Sequence, residues 1–277
     1  MNRIFVGTLY SGENEFEECL ASIQNQTYQN FKHFIYKNLP NVEAHHTLFS
    51  DFKSKADQFD FLVKVDADMV ICSDQLFANI VRKMNDDPEI DVFSIAVRDF
   101  FSGELINGLN IYRNSVKWDF TKDTMFVDIP EVSRERTFFD QTDLAPAAIH
   151  CKNPSNLQAF HYGVHRGLKS IQKIHSTTHW AFLEKTWQNF LEVKDPRIGL
   201  AVLGAELVYA GKFTKADVDY TNPKVSKVLE QYREMGFTEI KKEIIQRHFL
   251  NLGFLPNNIR RRFIRNLRRT GNKPPNA

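Results

Sequence analysis

Phe59-Asp60-Phe61-Leu62-Val63-Lys64-Val65-Asp66-Ala67-Asp68-Met69-Val70-Ile71 is the stretch that decides how this chain is read. An apolar run, Phe59 to Val63, leads into two carboxylates one residue apart, and a second apolar run follows them. A short apolar run of this length predicts a buried strand, so Asp66 and Asp68 fall where that strand ends. Burying one carboxylate is costly, and burying two without cations is worse. A divalent ion accounts for the pair, because Asp oxygens suit hard cations such as Mg²⁺ and Mn²⁺. A cation held there would most naturally carry a substrate's phosphates.

Outward from this stretch, strand and helix patterns alternate. Arg3 to Leu9 predicts a first strand. Asn14 is placed to open a helix, with Glu17 three residues on as a capping box and Phe16, Leu20 and Ile23 on one face. Phe31 to Tyr36 predicts a second strand and Phe59 to Val65 a third. Downstream, Ser73 can cap a helix to about Met84, and Asp91–Val97 and Leu105–Tyr112 predict a hairpin through Ser102-Gly103. This alternation argues for an α/β fold with a doubly wound, mostly parallel sheet. Ligands of such sheets bind beyond the carboxyl ends of the strands, which is where Asp66 and Asp68 fall. Residues 114–158 are less regular, and helices are expected near 160–174, 179–192, 197–210, 224–235 and 238–250.

Composition excludes several classes. Apolar residues make up 42%, enough for a sizeable core in 277 residues, and 24 Phe is a high count. Cys19, Cys72 and Cys151 stand alone with no C-x-x-C, which argues against a disulfide framework or a thiolate zinc site and fits a cytoplasmic, reducing compartment. Met1-Asn2-Arg3 leads straight into a strand-like segment and does not read as a signal peptide. No apolar run approaches the roughly 20 residues that span a membrane. Net charge is +2, but seven Lys/Arg and no Asp or Glu lie from Pro256 onward. There Ile259, Phe263 and Leu267 recur at four-residue spacing among six Arg, the pattern of a basic amphipathic helix. Such a helix suits an anionic membrane surface, here the inner face of the cell membrane. It could also pack on the body or bind nucleic acid, but no nucleic-acid module accompanies it, and nucleic acid is not expected as a partner.

Glu18-Cys19-Leu20-Ala21-Ser22-Ile23-Gln24-Asn25-Gln26-Thr27-Tyr28-Gln29-Asn30-Phe31 resembles the first helix and turn of family-2-type glycosyltransferases with the GT-A fold. The Asp66-Ala67-Asp68 motif follows about 35 residues later, as that resemblance requires. The resemblance covers roughly residues 3–115. It implies a GT-A-like fold and transfer of a sugar from a nucleotide diphosphate donor, with Mn²⁺ or Mg²⁺ held by Asp66 and Asp68. Thr8, Leu9 and Tyr10 match positions that line the nucleotide pocket, and Lys53 and Lys55 could reach phosphates or be solvated surface charges. The sequence departs from the family after the second strand. Many members carry an Asp pair for the base and ribose there, whereas this chain reads Tyr36-Lys37-Asn38-Leu39.

The same resemblance implies that a His from the second half completes the metal shell. His165 is favoured, because Gly163-Val164-His165-Arg166-Gly167-Leu168-Lys169 resembles a subset of bacterial capsule-type transferases. His161 and His150 are held in reserve, and Arg166 could serve the diphosphate or an anionic acceptor. Inversion needs a general base. Phe138-Phe139-Asp140-Gln141-Thr142-Asp143 supplies Asp143, then Asp140, in an aromatic setting that raises a carboxyl pKa. Either could instead cap a turn before Pro146, and Glu131 and Glu135 stand behind them. The expected organisation is a nucleotide-sugar-binding half at 1–115, an acceptor-facing and metal-completing half at 116–195, and a helical region at 196–277. The expected activity is a metal-dependent, inverting glycosyltransferase acting on a glycan or lipid-linked acceptor in polysaccharide or capsule synthesis. Two rival classes are a nucleotidyltransferase and a non-catalytic carbohydrate- or membrane-binding relative. Gly7 to Gly12 lacks the glycine-rich basic loop of the first, and retention of both Asp66 and Asp68 disfavours the second.

Overall fold

The structure, a computed structural model, describes residues 2–120, 125, 136–172 and 176–247. The basic segment from 256 and the residues Glu131 and Glu135 lie outside them. The chain divides into two compact units, residues 1–100 with 104–154, and residues 101–103 with those from 155 onward.

The first unit is built on β1 (Ile4–Tyr10), β2 (Phe31–Lys37), β3 (Phe61–Lys64), β4 (Met69–Ile71), β5 (Val92–Asp99), β6 (Leu105–Arg113), β7 (Thr137–Asp140) and β8 (Ala148–His150). They form a mixed sheet in the order β2-β1-β3-β6-β5-β8-β4, with β7 also on β5. Pairs β1–β2, β1–β3, β5–β7 and β5–β8 are parallel, and β3–β6, β5–β6 and β4–β8 are antiparallel. The α/β expectation therefore holds, and so does the β5–β6 hairpin. Three helices belong to this unit: α1 (Phe16–Gln24), α2 (Asn41–Ser54) and α3 (Leu76–Asp86).

Three local expectations are corrected. The capping box at Asn14 does not form. Helix α1 begins at Phe16 without a side-chain cap, and Asn14 Nδ2 donates instead to the Asn153 carbonyl at 2.7 Å. Helix α3 starts at Leu76, later than Ser73, whose Oγ accepts from the Gln75 N–H in the preceding turn. Helix α2 was not expected. Its buried face is Ala44, His45, Leu48, Phe49 and Phe52, of which Leu48, Phe49 and Phe52 pack with Phe5, Phe59 and Leu62 into an aromatic-rich core cluster.

The second unit is helical: α4 (Asn156–Ser170), α5 (Ser176–Val193), α6 (Pro196–Tyr209), α7 (Pro223–Leu229) and α8 (Phe237–Arg247). Helix α4 opens on a capping box, Ser155 with Gln158. Helix α6 opens on Asp195 with Pro196 at its first position, where proline loses no helical bond. Ile198 to Val208 are buried throughout, as expected of a helix at a unit's centre. The two compact units part in sequence near residue 154. The cause is that β7 and β8 extend the sheet to His150, while α4, α5 and α6 pack together beyond it.

Candidate functional site

The site is assembled at the carboxyl ends of β1 and β3. Val65 N–H donates to Gly7 O and Ala67 N–H to Leu9 O, so the Asp66-Ala67-Asp68 segment continues along the end of β1. Residues of the Gln26-Thr27-Tyr28 segment fix this arrangement from behind. Buried Gln26 accepts from Phe77 N–H and donates to Ser73 O, and Thr27 N–H donates to Asp74 O. Ser22 Oγ accepts from Ile71 N–H just beyond the acidic segment. The residues that carry the family resemblance are therefore structural ties between α1 and the β4–α3 connection.

The two carboxylates have different partners. Lys64, 4% exposed, places Nζ at 2.5 and 2.7 Å from the two oxygens of Asp66. Asp68 meets residues from the end of β8, because β4 runs antiparallel to β8 and Met69 sits opposite His150. His150 Nε2 lies 3.3 Å from Asp68 Oδ2, while Nδ1 lies 2.8 Å from Asp99 Oδ1. Cys151 Sγ lies 3.5 Å from Asp68 Oδ2 and 3.6 Å from His150 Nε2, and its N–H donates to the Asp68 carbonyl at 2.7 Å. Part of the charge argument for a metal is thus answered within the chain, by Lys64 and His150. One oxygen is not answered: Asp68 Oδ1 is buried with no hydrogen-bond partner among the described residues.

Electrostatics follow from these contacts. Burial works to raise the Asp68 carboxyl, but His150, the Cys151 bond and Lys64 together hold it below the usual carboxylate value. Burial works to lower the His150 imidazole, and the negative ends of Cys151, Asp68 and Asp99 raise it well above its ordinary value. The Cys151 thiol is pushed up by burial. Glu13, in the β1–α1 loop, is pushed to about 7 by burial, with Asp68 and Asp66 adding repulsion against a lowering bond from Ser11 N–H. Glu13, Cys151 and Asp99 were not singled out from sequence. Glu13 follows the first strand, a position where ligand loops are expected. Cys151 and Asp99 are brought to Asp68 by strand pairing, which leaves no trace in local spacing.

The other expected residues are placed as follows. Thr8 is buried, with Oγ1 2.9 Å from His33 Nε2, so its hydroxyl serves the sheet. Leu9 O accepts from Ala67 N–H in the acidic segment, while Tyr10 is stacked on Phe16 at 4.0 Å with Lys37 Nζ above both rings. Lys53 is exposed on α2, and Lys55 pairs with Asp51 and lies over Phe34. Asp140 is buried and accepts from the N–H groups of Thr142, Asp143 and Leu144, which is the turn-capping role. Asp143 is exposed, with Thr142 Oγ1 donating to it at 3.3 Å.

His161, His165 and Arg166 belong to α4 in the second unit. His161 donates to Val218 O at 2.8 Å and lies against His165 and Tyr220. Arg166 sits over Tyr162 and Phe182 with Nη1 3.2 Å from His179 Nδ1. Among the described residues, the His/Cys/carboxylate group spaced to hold a metal is Asp68, His150 and Cys151. The histidine gathered at the acidic segment is therefore His150.

No known protein-family description matches the sequence, and no curated protein matches it. Among solved structures, A197 from STIV aligns with 15% identity and a TM-score of 0.37 over 51% of this chain and 82% of that one. S. aureus TarS aligns with 10% identity and a TM-score of 0.36 over 91% of this chain and 55% of that one. The chain thus spans just over half the length of TarS, and similarity this low carries no argument about function. None of the described helices is long and apolar enough to cross a membrane.

Proposed function

We propose that this chain is a metal-dependent, inverting glycosyltransferase that moves a sugar from a nucleotide diphosphate donor to a hydroxyl of a glycan or lipid-linked acceptor. The observation that carries the reading is the acidic segment at the end of β3, running beside β1, with a buried Asp68 oxygen that lacks a partner among the described residues. The residues fit a divalent cation. Asp68 would hold it, with His150 in the role the resemblance gave to His165, and Asp66 lies beside it with both oxygens on Lys64. The cation, when bound, neutralises negative charge on the departing diphosphate. Leu9 and Tyr10 line the nucleotide side, and Lys37 takes the place of the missing acidic pair. Asp99 fixes the His150 ring through Nδ1, a hydrogen bond that orients Nε2 toward Asp68. Asp143, exposed and not consumed by the turn, accepts the acceptor's proton, and Asp140 shapes that turn. Cell-surface polysaccharide synthesis is the setting, with residues 256–277 as a tether to anionic lipid.

Calorimetry across nucleotides and nucleotide sugars, with and without Mn²⁺, tests this reading. At least one nucleotide is expected to bind about tenfold or more tightly with metal, corresponding to about 1.4 kcal/mol. Equal binding of every nucleotide with and without metal would defeat the proposal.

A further inference from the structure

We infer that Cys151 is a third metal ligand, and that Asp68, His150 and Cys151 form a site for a thiophilic divalent cation of the Zn²⁺ type rather than for Mg²⁺. The inference rests on Asp68 being a metal ligand, which the proposed function shares, and not on sugar transfer.

Spacing is the first support. A tetrahedral zinc ion, with bonds of about 2.3 Å to sulfur and about 2.0 Å to nitrogen or oxygen, holds sulfur roughly 3.5 Å from each other ligand and nitrogen roughly 3.3 Å from oxygen. Here the sulfur lies 3.5 Å from Asp68 Oδ2 and 3.6 Å from His150 Nε2, and those two lie 3.3 Å apart. Hydrogen bonds alone can draw such atoms together, so other observations matter. Cys151 adopts a left-handed backbone (φ 52°), which a non-glycine residue rarely takes and which clusters at functional sites. Its N–H is tied to the Asp68 carbonyl, so thiol and carboxylate are fixed from the same two residues. His150 Nδ1 rests on Asp99, the outer partner that metal-binding histidines commonly use.

The division of charge points the same way. Lys64 occupies both oxygens of Asp66, so the two aspartates are not equivalent. Asp68 is left with one nitrogen and one sulfur as neighbours. Thiolate and imidazole select zinc-like ions, whereas Mg²⁺ takes oxygen ligands. On binding, the Cys151 thiol releases its proton to solvent, and one thiolate with one carboxylate balances a doubly charged ion. Three protein ligands leave a fourth position for water or a phosphate oxygen, as in zinc sites that do chemistry. Isolated cysteines had argued against a thiolate zinc site. Strand pairing overcomes that argument, because β4 and β8 join residues 83 positions apart.

Titration of the whole protein with Co²⁺, without nucleotide, tests the inference. Wild type is expected to develop a near-ultraviolet thiolate-to-cobalt band, with visible bands of tetrahedral intensity, at one equivalent. Zn²⁺ should displace the cobalt and Mg²⁺ should not. Cys151→Ser should lose the thiolate band, and Cys72→Ser, at an exposed cysteine, should keep it. Calorimetry should show Cys151→Ser losing at least about tenfold in Zn²⁺ affinity. Absence of the band in wild type overturns the inference whatever the variants do, so a misfolded variant does not protect it. A band that survives Cys151→Ser overturns it also. Metal-dependent nucleotide binding without the band would remove this inference and leave the proposed function, and the reverse result would do the opposite.

Discussion

The acidic end of β3 and the α4–α6 pair solve opposite packing problems. At the end of β3, charged and polar groups are brought together with specific partners, Lys64 for Asp66, His150 and Cys151 for Asp68 Oδ2, Asp99 for His150, while Asp68 Oδ1 has none among the described residues. Between α4 and α6 the backbones themselves meet. A Cβ on Gly163 would lie 1.7 Å from the Ala201 carbonyl oxygen, and one on Gly204 would lie 2.4 Å from the Phe160 carbonyl oxygen. Isosteric loss of charge in the first region is expected to cost little stability, because Asp66 and Asp68 are part-exposed. The second tolerates no added volume, since backbone cannot rotate aside as a side chain can. Function should therefore be lost at the first by isosteric substitution and stability lost at the second by a single methyl group.

The largest expected effect is Gly163→Ala. It should destabilise by about 3 kcal/mol or more, or prevent folding, because overpacking against backbone forces the helices apart. Thermal unfolding measures this, and an unchanged midpoint would break the contrast between the two regions. Next, Asp140 and Asp143 separate stability from chemistry within a single turn. Asp140→Ala should cost about 1–3 kcal/mol through the backbone donors it leaves unpaired. Asp143→Ala should leave the unfolding midpoint alone and lower turnover by about 10²–10⁴. A reversal of those two results would hand the base role to Asp140.

The smallest effect concerns Glu13. Its folded pKa is raised to about 7 from 4.5, so the folded state holds a proton that the unfolded state gives up in that interval. Stability from this group is present below its unfolded value and is lost as pH rises through about 7. Glu13→Gln should therefore raise the unfolding midpoint at pH 8 but not at pH 4, measured with chelator present. A midpoint gain equal at both pH values would show that burial, with Asp68 and Asp66 adding to it, does not raise the Glu13 carboxyl.

Sequence carried much of the first unit's fold. Alternating apolar runs mark β1, β2, β3 and the β5–β6 hairpin, and helical spacing marks α1, α3 and the helices of the second unit. Helix α2 was hidden, because His45 and His46 interrupt its apolar face and Pro40 precedes it. Strands β4 and β8 have three residues each, too short for any periodicity to register. They are also the strands that deliver His150 and Cys151 to Asp68. Asp66 and Asp68 were legible because two acids at a strand end are anomalous in themselves. Cys151 looks like an ordinary buried cysteine until the sheet is built.

The most direct test of the account is nucleoside diphosphate release from a panel of nucleotide sugars, compared between wild type and Asp68→Asn at matched folding. Wild type should turn over at least one donor in a metal-dependent way, and Asp68→Asn should lose at least about 10²-fold, equal to about 2.7 kcal/mol of barrier. Equal turnover by the two proteins, or none by wild type with any donor, would contradict it.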